Sequence, residues 1–271
     1  MIDFELTQFQ EDHLPSATAL STAVGWSHRQ TDWAMLLPFS TGVVAQRNGD
    51  VSGTALRSDF GDDLSTINMV IVSPDTRGQG LGRKLMAALL DTTDRNIRLV
   101  ATRSGRPLYE KLGFHEVGRL AQHQGVLTAA PEFIGAQAAQ LADLAKIQEL
   151  ESQSFGGDRS ALIDWLADNG QLAVMRSGGE VTGFAGCRRF GQGHVIGPVV
   201  AKGTQDAKAL IAHHLRGLEG EFVRLDMMRN ADLTPWLVEV GLFMTDQPPV
   251  MERGTISTTA DRLAVFSQGL G

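Results

Sequence analysis

Apolar residues in the first half of the chain come in short runs broken by turn residues, and between the runs they recur at helical spacing. The runs predict strands over residues 5–9, 43–47, 51–57 and 66–72. Helical spacing predicts helices over residues 13–24 and 30–37, the second stopped by Pro38, whose ring cannot continue a helix. Asn48-Gly49-Asp50 is a hairpin signal between two of the strands, because Asn and Gly accept positive φ. A helix from a glycine-rich segment to about residue 93, a strand over 97–101, a short helix and a strand ending near residue 127 complete the order βααβββαβαβ.

The second half repeats this plan. Helices are predicted over 138–154 and 159–168, strands over 172–176 and 181–189 around the turn Ser177-Gly178-Gly179, and a strand over 194–200. A helix over 206–218, a strand over 222–226 and a helix over 233–242 follow. Leu237-Val238-Glu239-Val240-Gly241-Leu242-Phe243 falls where Tyr109-Glu110-Lys111-Leu112-Gly113-Phe114 falls in the first half. Small residues and a proline at Thr128-Ala129-Ala130-Pro131 punctuate the pattern, so the expected units are residues 1–129 and 130–271. Both mix helices and strands, an α/β (α+β) composition.

The two halves differ where chemistry is expected. In the first, the apolar run Met69-Val70-Ile71-Val72 stops at Pro74, enters a loop with glycines at alternate positions and resumes as a helix. Glycines there remove the Cβ atoms that would hold a ligand off the backbone, and they let successive N–H groups point the same way. Those donors, the positive end of the next helix, and Arg77, Arg83 and Lys84 suit a pyrophosphate. The spacing is not that of a P-loop, which needs Gly-Lys-Ser/Thr, nor that of a dinucleotide fingerprint, Gly-x-Gly-x-x-Gly. In the second half the same place reads Pro198-Val199-Val200-Ala201-Lys202-Gly203-Thr204, with one glycine and one lysine.

Arg77-Gly78-Gln79-Gly80-Leu81-Gly82, followed by the strand over 97–101 and then Pro107-Leu108-Tyr109-Glu110-Lys111-Leu112-Gly113-Phe114, resembles the GNAT superfamily of acyl-CoA-dependent N-acetyltransferases. The superfamily's loop signature is Gln/Arg-x-x-Gly-x-Gly/Ala. With Ile196-Gly197-Pro198-Val199-Val200-Ala201 in the second half, the whole resembles tandem GNAT proteins that pair an intact N-terminal domain with a divergent C-terminal one. The resemblance implies two GNAT-like domains, each a mixed, mostly antiparallel sheet flanked by helices, and a catalytically silent second domain. It also implies acetyl-CoA as co-substrate, held by the backbone of Val70, Ile71 and Val72 and by the loop residues Arg77, Gly78, Gln79, Gly80, Leu81, Gly82 and Arg83.

The same resemblance puts Tyr109, the one tyrosine of the chain, where the family's thiolate-protonating tyrosine falls. A phenol with pKa near 10 donates to a thiolate and stays protonated at pH 7. Some family members carry a basic glutamate on the fourth strand, but Ser65-Thr66-Ile67-Asn68 has none. Asn68 is the candidate for ordering a proton-carrying water, and Asp59, Asp62, Asp63 and His28 are alternative bases. The family's first two helices line the acceptor, which places Trp33 and His28 there; the expected acceptor is a small-molecule primary amine. A non-catalytic acyl-CoA sensor and an acetyltransferase of protein N-termini or lysines are the competing readings.

Composition narrows the remainder. A net charge of −7 and a pI near 5.5 argue against a nucleic-acid partner, which needs a basic stripe. No apolar run nears the ~20 residues that span a bilayer, and the start carries no basic or apolar leader, so the expectation is a cytoplasmic protein without a membrane partner. A homodimer is compatible with all of this. One cysteine, Cys187, excludes an internal disulfide and reads as a small core residue; His213 and His214 lack ligand spacing, so no metal is expected. His13 reads as a helix-start residue. Arg188 and Arg189 must point to opposite faces of their strand.

Overall fold

The computed structural model describes residues 4–132, 134–228 and 233–271. Strand β1 (Glu5–Gln8) and helices α1 (Leu14–Ala23) and α2 (Gln30–Ala34) lead into an antiparallel meander of β2 (Ser40–Arg47), β3 (Asp50–Phe60) and β4 (Leu64–Val72). Then come α3 (Leu81–Leu90), β5 (Asn96–Val100), α4 (Arg106–Lys111) and the long β6 (His115–Val126). The second half runs β7 (Gln137–Ala138), α5 (Leu144–Phe155), α6 (Ser160–Asn169), β8 (Gln171–Ser177), β9 (Glu180–Phe190), β10 (Gly193–Val200), α7 (Thr204–Leu215), β11 (Phe222–Met228) and α8 (Thr234–Glu239). It ends in β12 (Phe243–Asp246), β13 (Pro249–Arg253) and β14 (Arg262–Ala264). The pairing is antiparallel except between β4 and β5 and between β10 and β11.

Two expected helices are shorter than their periodicity. The helix over 30–37 ends at Ala34, and Pro38 sits in a separate 3-10 turn, Leu37–Phe39. The helix expected over 138–154 begins only at Leu144, because Ala138 is drawn into a strand pair with Ala173 and the Asp143 carboxylate accepts the Gln140 N–H at 2.9 Å. Amphipathic α3 behaves as its pattern requires: Leu81, Leu85, Met86, Leu89 and Leu90 are buried, while Arg83 and Lys84 face water.

The halves trade strands. The first part of β6 pairs with β13, and β13 pairs with β5 on its other edge, so a strand from the end of the chain lies inside the first half's sheet. The rest of β6 lies between β11 and β12, inside the second half's sheet. One continuous sheet of 14 strands results. The expected boundary at residues 129 and 130 falls in the connection between β6 and β7, but hydrogen bonding crosses it in both directions.

Parallel pairing of β4 with β5 stops after Thr66 and Arg98. Beyond it, β4 carries a bulge: Leu56 pairs with Asn68 and Thr54 with Ile71, leaving Met69 at φ +50°. The Thr54 hydroxyl fixes this kink by donating to the Met69 carbonyl at 2.8 Å. The two strands therefore diverge into a V open at its wide end. In the second half β10 and β11 pair through His194–Val223 and Val195–Arg224 and diverge likewise, but β14 enters the gap, pairing Ala264 with both Val199 and Met227.

Candidate active site

The wide end of the first V continues into the glycine loop. Gly78 and Gly80 adopt φ of +77° and +78°, the left-handed region that only glycine enters without strain, and Gly80 caps α3. A Cβ at either would meet no protein atom within 4 Å, so the loop presents bare backbone to solvent. This loop, the strand residues Val70, Ile71 and Val72, and the start of α4 wall a groove; Arg77, Leu81, Gly82 and Arg83 line it as well. Gln79 on the loop and Lys84 on the first turn of α3 are exposed without forming the groove wall. The residues fit a pyrophosphate and its pantetheine arm: free N–H groups at a helix start, two arginines, and a strand edge no longer covered by β5.

At its inner end the groove meets a second cavity of about 340 Å³ lying between the halves. Trp26, Val70, Thr102, Arg103 and Tyr109 line both spaces. Tyr109 is 6% exposed, and burial pushes its phenol up to about 12, so it is protonated at any physiological pH. Asn68, 4% exposed, lines the inner cavity; its amide donates to the Ser58 hydroxyl at 3.0 Å while its carbonyl oxygen is buried without a partner.

His28 lines the same cavity, packed edge-on to Phe190 at 5.2 Å, and burial lowers it to about 4, leaving it neutral at pH 7. Trp33, expected beside it, is wholly buried instead: its N–H donates to Ser21 Oγ at 3.0 Å and its ring stacks on Phe9. The tryptophan at the cavity is Trp26. Asp32, adjacent in sequence to Trp33, does line the cavity. Burial alone would raise its carboxyl, but hydrogen bonds from Arg29 and from the Gly191 N–H hold it below the usual carboxylate range.

The loop acids proposed as bases lie elsewhere. Asp59 accepts from Arg57 and Ser65, and Asp62 and Asp63 stand at the opposite end of β4 from the bulge, in a separate depression with Asp91 and Asp94. His13 sits at the start of α1, its Nδ1 accepting the Gln10 N–H. Cys187 is buried with its thiol pushed up to about 12, so it is an inert core residue. Among the described residues no three metal-ligating side chains converge, and no helix is long and apolar enough to cross a membrane.

Twelve of the 28 residues that line the inner cavity come from beyond residue 120. Gln122 and Gln124 reach it from the exchanged part of β6, Arg188 from β9, Arg224 and Asp226 from β11, and Gln268 from the tail after β14. Arg224 forks onto Asp226 with both contacts at 3.0 Å, and Gln268 joins Asp226 to Gln122 with contacts of 2.9 Å. The sequence carried a signal for one of these residues. Arg188 follows Phe184-Ala185-Gly186-Cys187 in a strand of small apolar residues, and it is Arg188 that is buried while Arg189 is exposed.

Comparison with known proteins agrees with this geometry. Models of the acetyltransferase (GNAT) domain match residues 38–116 and 147–267. The uncharacterized N-acetyltransferase YitH of Bacillus subtilis is 27% identical over 98% of both chains. The holothin acyltransferase of a Pseudoalteromonas species is 26% identical over 62% of this chain and 59% of its own. Among solved structures, a protein of Pyrococcus horikoshii classed as an acetyltransferase superposes with a TM-score of 0.82 at 16% identity, covering 99% of this chain and 96% of its own. A tandem GNAT protein of the clavulanic acid biosynthesis pathway gives 0.62 at 16%, covering 94% and 100%. At such identities the structures speak for the fold. With one matched domain in each half and an N-acetyltransferase relative spanning the whole length, the chain belongs to the GNAT acyltransferases, as a tandem member.

Proposed function

We propose that the N-terminal half transfers the acetyl group of acetyl-CoA to the primary amine of a small molecule by direct attack in a ternary complex. One observation carries this: the cofactor-shaped groove and the inner cavity meet at Val70 and Tyr109. An acyl donor in the groove and an amine in the cavity would thus face each other across the bulge of β4. The size of the cavity and its walls from both halves favour a small acceptor over a protein lysine or N-terminus.

Acetyl-CoA, when bound, supplies a thioester carbonyl. A backbone N–H at Val70–Val72 would donate to its oxygen as charge builds there, a contribution on the order of 3 kcal/mol per donor. As the C–N bond forms and the C–S bond breaks, the Tyr109 phenol gives its proton to the leaving thiolate. The acceptor nitrogen sheds its surplus proton to water held at the unpartnered Asn68 carbonyl oxygen, so no carboxylate base is required when the amine arrives neutral.

Isothermal titration with acetyl-CoA on wild type and Gly82→Asp, followed by a small-amine acetylation screen, tests the reading. One site lost in the variant, with turnover of a free amine, is expected. Tight binding without turnover of any amine would make the protein an acyl-CoA sensor.

A further inference from the structure

The inner cavity holds three carboxylates and three arginines, and three of the six are already matched. Asp32 is taken by Arg29 and the Gly191 N–H, and Asp226 by Arg224 and Gln268. Asp246 is exposed at the rim, as is Arg103. Arg188 is different. Its residue is 4% exposed, its Nε is buried without a hydrogen-bond partner, and its Nη1 reaches only the Arg189 carbonyl at 3.3 Å. Among the described residues no carboxylate forms an ion pair with it. Phe266 lies 4.8 Å and Phe190 5.2 Å from its guanidinium carbon.

A guanidinium between aromatic rings is held rigidly, but ring faces do not replace the hydrogen bonds lost with water. A buried, half-satisfied cation is costly in a folded protein. Burial lowers Arg188 to about 10, with Asp32 opposing the shift and Arg29 and Arg224 adding to it, so it stays charged at pH 7. Its Nε is the donor left without a partner, and the edge of a guanidinium fork is what meets a planar carboxylate in two parallel hydrogen bonds.

We propose that Arg188 receives a carboxylate of the acceptor, so that the substrate is an amine that also carries a carboxylate, an amino-acid-like molecule. The proposal rests on the small-amine reading above and adds a role for the second half. That half performs no transfer itself and supplies the residue that selects the acceptor, from the β9 position matching Ser58 on β3.

The test compares matched acceptors, each an amino carboxylate against its amide, at saturating acetyl-CoA in wild type, Arg188→Gln and Arg188→Lys. Wild type is expected to favour the carboxylate roughly 10- to 100-fold in kcat/KM, the range for hydrogen bonds to a charged group. Arg188→Gln should bring that ratio towards one through KM, and Arg188→Lys should restore part of it. Acetyl-CoA titration of each variant reports whether it is folded. Equal use of both acceptors by wild type, or a ratio that survives in Arg188→Gln, overturns the proposal, as does a preference for amines bearing phosphate.

A second arm needs no turnover: titration of the CoA-loaded protein with N-acetyl amino carboxylates and with their amides. Saturable binding of the carboxylates alone, weakened at least 10-fold in Arg188→Gln, supports the anion site even if no amine is acetylated, an outcome that would remove only the transfer reading. Binding that ignores either the carboxylate or the substitution overturns it.

Discussion

The two halves make the same V from a bulged fourth strand and a parallel fifth, and they fill it differently. In the first, no strand among the described residues pairs between β4 and β5 beyond Thr66, and the opening leads to a loop with two left-handed glycines. In the second, β14 occupies the gap, Ala264 and Phe266 are wholly buried, and the tail approaches Gly197 so closely that a Cβ there would strike the Val265 carbonyl. The position of Tyr109 is held by Leu237. The fold alone therefore confers no acyl-CoA site; an uncovered strand edge and a bare backbone loop are both needed, and the second half has neither.

The largest effect should come from separating the halves. Expressed alone, residues 1–129 would lose β13 from between β5 and β6 and leave the far part of β6 unpaired on both edges. Buried Met251 would leave a hole beside Ile97 and Leu99. Neither fragment should fold, whereas co-expressed fragments should reassemble. Circular dichroism of the isolated N-terminal piece decides this, and a native spectrum would mean that strand exchange is incidental.

Next come substitutions at the two loops. Gly80→Asp puts a Cβ and a negative charge at φ +78°, where a pyrophosphate is expected, and should abolish acetyl-CoA binding. Gly203→Asp, at the corresponding place in the second half, should leave acetyl-CoA affinity as in wild type. Loss of binding in Gly203→Asp alone would reverse the assignment of the halves. Tyr109→Phe should follow with about a 100-fold fall in kcat and little change in acetyl-CoA affinity, the usual range for removing a general acid.

What could be read from the sequence divides along the same physical line. The loop was legible because its chemistry is written in consecutive residues, and most strands were legible because packing of one or both faces leaves a local pattern. Trp33 and Trp26 could not be told apart, since both lie near helix ends and only the packing of Phe9 and Ser21 decides which is core. The exchange of β6 and β13 was illegible because their partners are set by pairing between residues about a hundred or more positions apart, which no local period records. The inner cavity was half hidden for the same reason: Arg188, Asp226 and Gln268 meet Asn68 and Tyr109 only after the sheets join.

The smallest expected effect concerns how each half tolerates acid. His28 at the cavity of the first half and His214 in the core of the second are both lowered by burial to about 4, and His214 Nε2 lies 3.0 Å from the Ala185 carbonyl. Unfolded, each would titrate near 6.5, so between pH 6.5 and 4 the unfolded chain binds more protons than the folded one. Stability should therefore fall as pH drops through that window and level off below it. Each histidine contributes about 2 kcal/mol after allowance for relaxation around the buried ring. Replacing His214 by Gln keeps an amide donor for Ala185 and removes one titration, so its denaturant midpoint should depend less steeply on pH between 6.5 and 4 than that of wild type. An acceptor bound beside His28 should add protection in the same window only if the imidazole stays neutral there. A ligand whose stabilising effect instead grew as pH fell below 6 would mean that His28 takes up a proton to hold it, and the inner cavity would then bind its anion with two cations rather than with Arg188 alone.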